Sequence, residues 1–294
     1  MIEKAAKAPN HWPFLDFLRA TAALLVLFAH SRASYFLYIE RADQQGGFLK
    51  LFYFITGLGH QAVVIFFVLS GFLIGGSLTD SMQRGSFDLM RYLIARFVRI
   101  FIVYIPALVI TEAVFLFGLF LIGDPVGGPL AGHQQLDFGG VSQAICFLSG
   151  LQGFSCAAWE QNSALWSLGY EWALYLFAPA IIQLIVWEAS PYLQLLAIAL
   201  VCAIAATISH YPIEAVFWFS AWFLGAGSYR ILRARLVPLP VGLGGAFLII
   251  AGMALRHIDA ASEMKTDMII AAGAAIAIAC RPMVAFPLAP RFFG

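Results

Sequence analysis

Residues 14–30 read FLDFLRATAALLVLFAH, and this stretch decides the fold. It is apolar enough to enter a bilayer, yet it carries Asp16, Arg19 and His30. Ionisable side chains inside a membrane helix cost roughly 2.5–3.5 kcal/mol each on insertion scales and mark functional positions. Arg19 and His30 stand eleven positions apart. That is close to three turns, so they share a helix face and lie about 16 Å apart along the axis. Asp16 precedes Arg19 by three residues, within pairing reach on a helix. The bland alternative is an arginine whose stem snorkels to the interface and a satisfied histidine at the far end. The rest of the chain weighs against it.

The 294 residues are 62% hydrophobic and only 11% charged, where a soluble domain carries about 25% charge. With a mean hydropathy of +0.86, the composition is that of a polytopic membrane protein with no room for a separate soluble domain. The net charge of +1 gives no reason to expect a nucleic-acid partner. The first helix is too long for the apolar core of a signal peptide and is expected to remain as a signal-anchor. Cys146, Cys156, Cys202 and Cys280 have no metal-ligand spacing, and no metal is expected. Cys146 and Cys156 share one extracytoplasmic segment, where they are either two free thiols or a disulfide.

Apolar runs long enough to span a membrane fall at about 14–36, 52–78, 97–122, 164–187, 192–210, 214–229, 238–256 and 266–285. The stretch 139–154, GGVSQAICFLSGLQGF, is a ninth candidate, short and Gly-rich, and reads as re-entrant or interfacial. The fold class expected is therefore an all-α, polytopic transmembrane helix bundle of eight to nine spans. Basic residues set its orientation. With residues 1–13 inside, Arg84, Arg91 and Arg96 fall in an inside loop, as do Arg230, Arg233 and Arg235, and later Arg281 and Arg291. The outside segment 123–163 holds no Lys or Arg at all. The N-terminus is expected in the cytoplasm.

Three further stretches carry chemistry. The second span ends FFVLSGFLIGGSL (66–78). Small residues there serve helix packing in general, but Ser70 and Gly71 interrupt a bulky run and point to close approach of a backbone or a ligand. Next, Arg96 and Arg99 are adjacent on a helix that enters the membrane. A solvated, topology-fixing role explains Arg84 and Arg91 better than Arg99, and paired guanidiniums can grip phosphates. Finally, the fourth span opens WSLGYEWALY (166–175). Ser167, Glu171 and Tyr175 recur every four residues on one stripe, and Glu171 has no basic neighbour in its own helix. Depth bookkeeping at 1.5 Å per residue puts His30 about 24 Å along a core about 30 Å thick. The same rise puts Glu171 about 10 Å below the outer surface, with Arg19, Ser70, Arg96 and Arg99 in the cytoplasmic half.

At these residues the sequence resembles acyltransferase family 3, the integral-membrane O-acyltransferases that modify sugars of bacterial envelopes. The resemblance lies in Arg19-x10-His30, the FFVLSGFL block, Arg96-x-x-Arg99-Ile with Pro106, and the WSLxxExxxY block at 166–175 with Pro179. It covers at least residues 14–180 in family order; each motif is weak alone, and the four in order are specific. It implies a cytoplasmic acyl-CoA, by default acetyl-CoA, as co-substrate without any tightly bound cofactor. It also implies a carbohydrate or other hydroxyl acceptor outside, residence in the bacterial inner membrane, and an essential Arg19/His30 pair. Ten spans are usual in the family, so this single domain (1–294) is expected to lack the last one or two family helices.

The expected mechanism takes His30 as general base on the acceptor hydroxyl, with Arg19 and Glu171 completing the catalytic set. Arg96 and Arg99 bind the CoA phosphates, and its arm passes Ser70 and Gly71. Asp16, Trp166, Ser167 and Tyr175 orient substrate or partners. A rival from another class is a proton- or anion-coupled secondary transporter relaying through His30, Glu171 and Arg19; the absence of an internal repeat speaks against it. Acyl identity, direct transfer versus an acyl-His intermediate, and oligomeric state are open at this stage.

Overall fold

A computed structural model describes residues 12–35, 47–122, 141–186, 190–234, 237–258 and 263–280. The basic start before residue 12, most of the outside segment up to 140, Arg235, Arg281, Arg291 and the closing 290–294 lie outside the described residues. Within them the chain is helical, with no strand.

Helix α1 (Pro13–Tyr35) contains the opening stretch. The second span is not one regular helix. α2 (Gly47–Thr56) meets α3 (Gly59–Ser70) at a turn where the Gly57 amide donates to Tyr53 and Phe54. A five-residue π-helical turn (Gly71–Gly75) then leads into α4 (Gly76–Gln83). α5 (Leu89–Ile122) runs 34 residues through Pro106, about 51 Å at helical rise and well beyond the roughly 30 Å an apolar core needs. The ninth candidate is the eight-residue α6 (Val141–Leu148), followed by an irregular loop and a 3-10 turn (Glu160–Leu165). α7 (Trp166–Val186) continues through Pro179. α8 (Pro191–Ile208), α9 (Pro212–Ala234), α10 (Leu239–Ile258) and α11 (Glu263–Ala279) complete the order. Ser190 caps α8, its hydroxyl accepting from the Leu193 amide, with Pro191 at the first helical position, where its missing N–H costs nothing.

Six of these helical stretches are long and apolar enough to cross a membrane: Phe14–Arg32, Gly47–Gln83, Leu89–Gly118, Asn162–Leu184, Pro191–Ile208 and Leu239–Arg256. The two other expected spans correspond to α9, which carries Glu214, Arg230 and Arg233, and to the 17-residue α11.

Contacts divide the chain into two compact units, a split unit (Met1–Gly76 with Ala221–Gly294) and a central unit (Ser77–Ser220). In the split unit, α1 packs on α2 and α3, and α11 packs on α3 and α10. Small residues let these backbones meet, as membrane helices require where lipid offers no hydrophobic drive. A Cβ on Gly71 would fall 1.8 Å from the Trp222 carbonyl oxygen, and one on Gly225 would fall 1.9 Å from that of Val68. Gly245 and Gly273 face one another between α10 and α11 in the same way. Ser228 on α9 donates to the Ala275 carbonyl of α11, a polar tie inside an apolar interface.

In the central unit, α5 packs on α7 and α7 on α8. The loop after α6 turns inward and is held to α5. The Tyr104 hydroxyl donates to the Phe147 carbonyl (2.7 Å), and Gln152 Nε2 donates to the Tyr104 oxygen (2.9 Å). Cys146 and Cys156 form a disulfide, which decides between the two states the sequence left open. Non-helical backbone survives among apolar helices only where protein satisfies it. Here Gln152 does so, fully buried, with its Oε1 accepting from the Trp159 amide.

Candidate functional site

In the split unit, α1 and α3 run antiparallel in a register fixed by three contacts. A Cβ on Gly59 would meet that of Ala29, the Arg19 guanidinium lies 5.9 Å from the Phe66 ring centroid, and Trp12 stands edge-on to Phe72. Arg19 therefore reaches the FFVLSGFL block at Phe66, one turn from Ser70. Its NH1 is 4.0 Å from Asp16 Oδ1, the pairing expected from their spacing. Ser70 stands directly before the π-helical turn, and its Oγ is buried with no hydrogen-bond partner among the described residues. Such turns recur at functional positions because the widened turn frees backbone groups and shifts side-chain register. Gly71 has a second explanation, since the Trp222 backbone fills the space a side chain would need.

His30, three turns beyond Arg19, is exposed, and its Nδ1 lies 2.8 Å from the Val26 carbonyl. A carbonyl only accepts, so Nδ1 carries the proton. One residue past the Gly59–Ala29 crossing, the structure adds a pair that sequence reading missed. His60 Nε2 donates to Asp267 Oδ2 across 2.7 Å, tying α3 to α11, with Asp267 buried and His60 half-exposed. Asp267 Oδ1 and Gln61 Oε1 are buried beside it without partners among the described residues.

In the central unit, the arginines and the Glu171 stripe come to one place. Arg96 lies 5.6 Å from the Tyr92 ring centroid and 5.5 Å from that of Tyr175, an aromatic clamp on a cation. Tyr175 donates from its hydroxyl to Glu171 Oε1, and its backbone carbonyl accepts from the Tyr92 hydroxyl. Arg99, exposed, lies within electrostatic reach of Tyr175. Glu171 and the arginines, expected at different depths, meet around Tyr175. At the start of α7, Gly169 is pressed on the Gln152 carbonyl and Gly153 on Trp166. Ser167 donates weakly to the Ala164 carbonyl (3.5 Å), and Trp166 packs on Trp218 and Tyr170.

Residues 12–286 match the family model described as an acyltransferase domain, acyltransferase 3. The chain belongs to this acyltransferase family. No curated protein and no solved structure matches it.

Among the described residues, each unit of the acyltransferase holds a cluster of polar groups. The split unit presents the His30 imidazole on the helix that carries Arg19. The central unit presents two arginines, one of them stacked between tyrosines, beside a carboxylate held by a phenol. Sequence reading did not single out His60, Asp267, Tyr92 or Gln152. Asp267 was findable: an acid in an apolar run is a functional signal, but at the edge of its span it reads as a boundary charge.

Proposed function

We propose that this membrane acyltransferase moves an acyl group, acetyl in the simplest case, from CoA supplied at the cytoplasmic face to a hydroxyl of an envelope or exported glycan. His30 Nε2 takes the hydroxyl proton while the oxygen attacks the thioester carbonyl. The C–S bond then breaks, and the imidazolium returns its proton to the departing thiolate. The observation that carries this reading is the His30 Nδ1 contact with the Val26 carbonyl, by which the role of base falls to Nε2.

Roles divide by unit. In the split unit Arg19, balanced by Asp16, holds the donor's thioester region, and the orphaned Ser70 hydroxyl and Gly71 border its path. In the central unit Arg96 and Arg99 take the CoA phosphates, since a stacked guanidinium is pre-organised for bidentate phosphate binding. Glu171 and Tyr175 fix the orientation of that cationic pair, and Trp166 and Ser167 seat the start of α7. The bacterial inner membrane, with the N-terminus cytoplasmic, is the setting. The basic 84–99 stretch then faces in, and the disulfide loop faces the oxidising side, where such bonds persist.

The test uses inside-out membrane vesicles with radiolabelled acetyl-CoA, comparing wild type with His30→Ala. Label in envelope glycan with wild type alone supports the reading; equal labelling by both proteins removes His30 from it. The His60–Asp267 pair, its carboxylate buried, favours one second reading, proton-coupled transport. Proton uptake that accompanies solute flux in the absence of any acyl-CoA would establish it.

A further inference from the structure

The segment between Cys146 and Cys156 is the most tightly built irregular backbone among the described residues. A disulfide closes it, buried Gln152 anchors it to Tyr104 and Trp159, and Gly150 and Gly153 adopt positive φ of 73° and 80° to make its bends. The α8–α9 connection is fastened to it as well. The His210 amide and the Ser209 hydroxyl both donate to the Phe154 carbonyl, at 2.6 and 3.1 Å. Besides seating the start of α7, such order suits a binding site, because a pocket whose walls are already ordered loses less entropy when it is filled.

The loop lines a cavity of about 450 Å³ that lies wholly inside the central unit. Its polar walls are Ser142, Gln143, Ser149, Ser155 and the His210 ring, and the disulfide forms part of the lining. Among the described residues, no carboxylate, lysine or arginine lines it. Each hydroxyl and the amide both donates and accepts. The Ser149 hydroxyl donates to the Cys146 carbonyl and keeps its lone pairs for a ligand. A neutral wall of mixed donors and acceptors disfavours phosphates and carboxylates and suits vicinal hydroxyls. The volume falls within the roughly 300–1,000 Å³ of small-ligand sites. The disulfide puts the cavity on the oxidising face, away from CoA.

We propose that this cavity is a docking subsite for a neutral saccharide, seating a sugar unit of the acceptor glycan. The assignment of that saccharide as acceptor rests on the acyltransfer reading above; the binding itself does not. The purified full-length protein in lipid nanodiscs is applied to an array of neutral and anionic glycans. Ser155→Trp, which fills the cavity, and the double change Ser142→Ala with Gln143→Ala, which removes hydrogen-bonding groups without adding bulk, are applied beside it. Neutral glycans are expected to bind wild type and to bind each variant roughly tenfold or more weakly. Thermal unfolding should be unchanged in the double variant. Absence of any neutral-glycan signal overturns the proposal, as does a signal equal in all three proteins or one confined to anionic glycans. Glycan binding by wild type without acyl transfer would retain the subsite and defeat the acyltransfer reading instead.

Discussion

At the scale of single residues, what decides tolerance is what each atom touches. Gly71 and Gly227 are both helical glycines in apolar surroundings, yet a Cβ on Gly71 meets the Trp222 backbone while one on Gly227 meets open space. Gly71→Ala should therefore force α3 and α9 apart and lower stability by roughly 1–3 kcal/mol, the usual cost of overpacking. Gly227→Ala should be neutral or gain up to about 1 kcal/mol from helix propensity. Thermal unfolding of the two variants in one detergent checks the contrast. Arg96 offers a second case. A lysine keeps the charge but loses the planar stack between Tyr92 and Tyr175 and the bidentate fork. With Arg96→Lys, KM for acetyl-CoA should rise roughly tenfold with kcat within about twofold, the pattern of lost uniform binding. A fall in kcat at unchanged KM would instead put Arg96 on the reacting atoms.

Among the elements, the inward loop after α6 determines where α7 begins and therefore what Glu171 meets. The disulfide spans a sequence separation of 10, and closing a loop of that size stabilises by roughly 2–3 kcal/mol on the chain-entropy estimate. Replacing both cysteines by serine should lower the unfolding temperature and loosen the Gln152 anchor, read as faster amide exchange at Trp159. An unchanged melting curve would mean that the side-chain network alone holds the loop. This element also marks the limit of what the sequence discloses. Hydropathy located the helices because each must satisfy its own backbone in lipid, and the four-residue spacing put Glu171 and Tyr175 on one stripe, though not in one hydrogen bond. Depth counted from the ends of apolar runs did not anticipate the meeting of Glu171 and Arg96 at Tyr175, because an irregular segment anchored by Gln152 carries no periodic signal. The His60–Asp267 bond joins positions 207 residues apart, and no local pattern records such a pairing.

For the whole molecule, orientation and assembly are the open consequences. With the N-terminus inside, a cysteine placed at Ser86 should be shielded from a membrane-impermeant maleimide in spheroplasts and react only after permeabilisation. One placed at Ser142 should react at once, both in a background lacking Cys202 and Cys280. The reverse pattern would invert the topology. The division into units bears on synthesis as well, because the split unit is interrupted in sequence by the whole of the central one. At ~5–20 residues per second, the 207 positions between His60 and Asp267 take roughly 10–40 s to translate. Throughout that interval α1–α3 wait in the bilayer for helices that do not yet exist, and the central unit, which ends at Ser220, is finished first. Maturation thus runs against chain order. A ribosome that stalls between the two halves leaves a histidine in lipid with no carboxylate to meet, a defect that membrane proteases can read long before any chemistry is attempted.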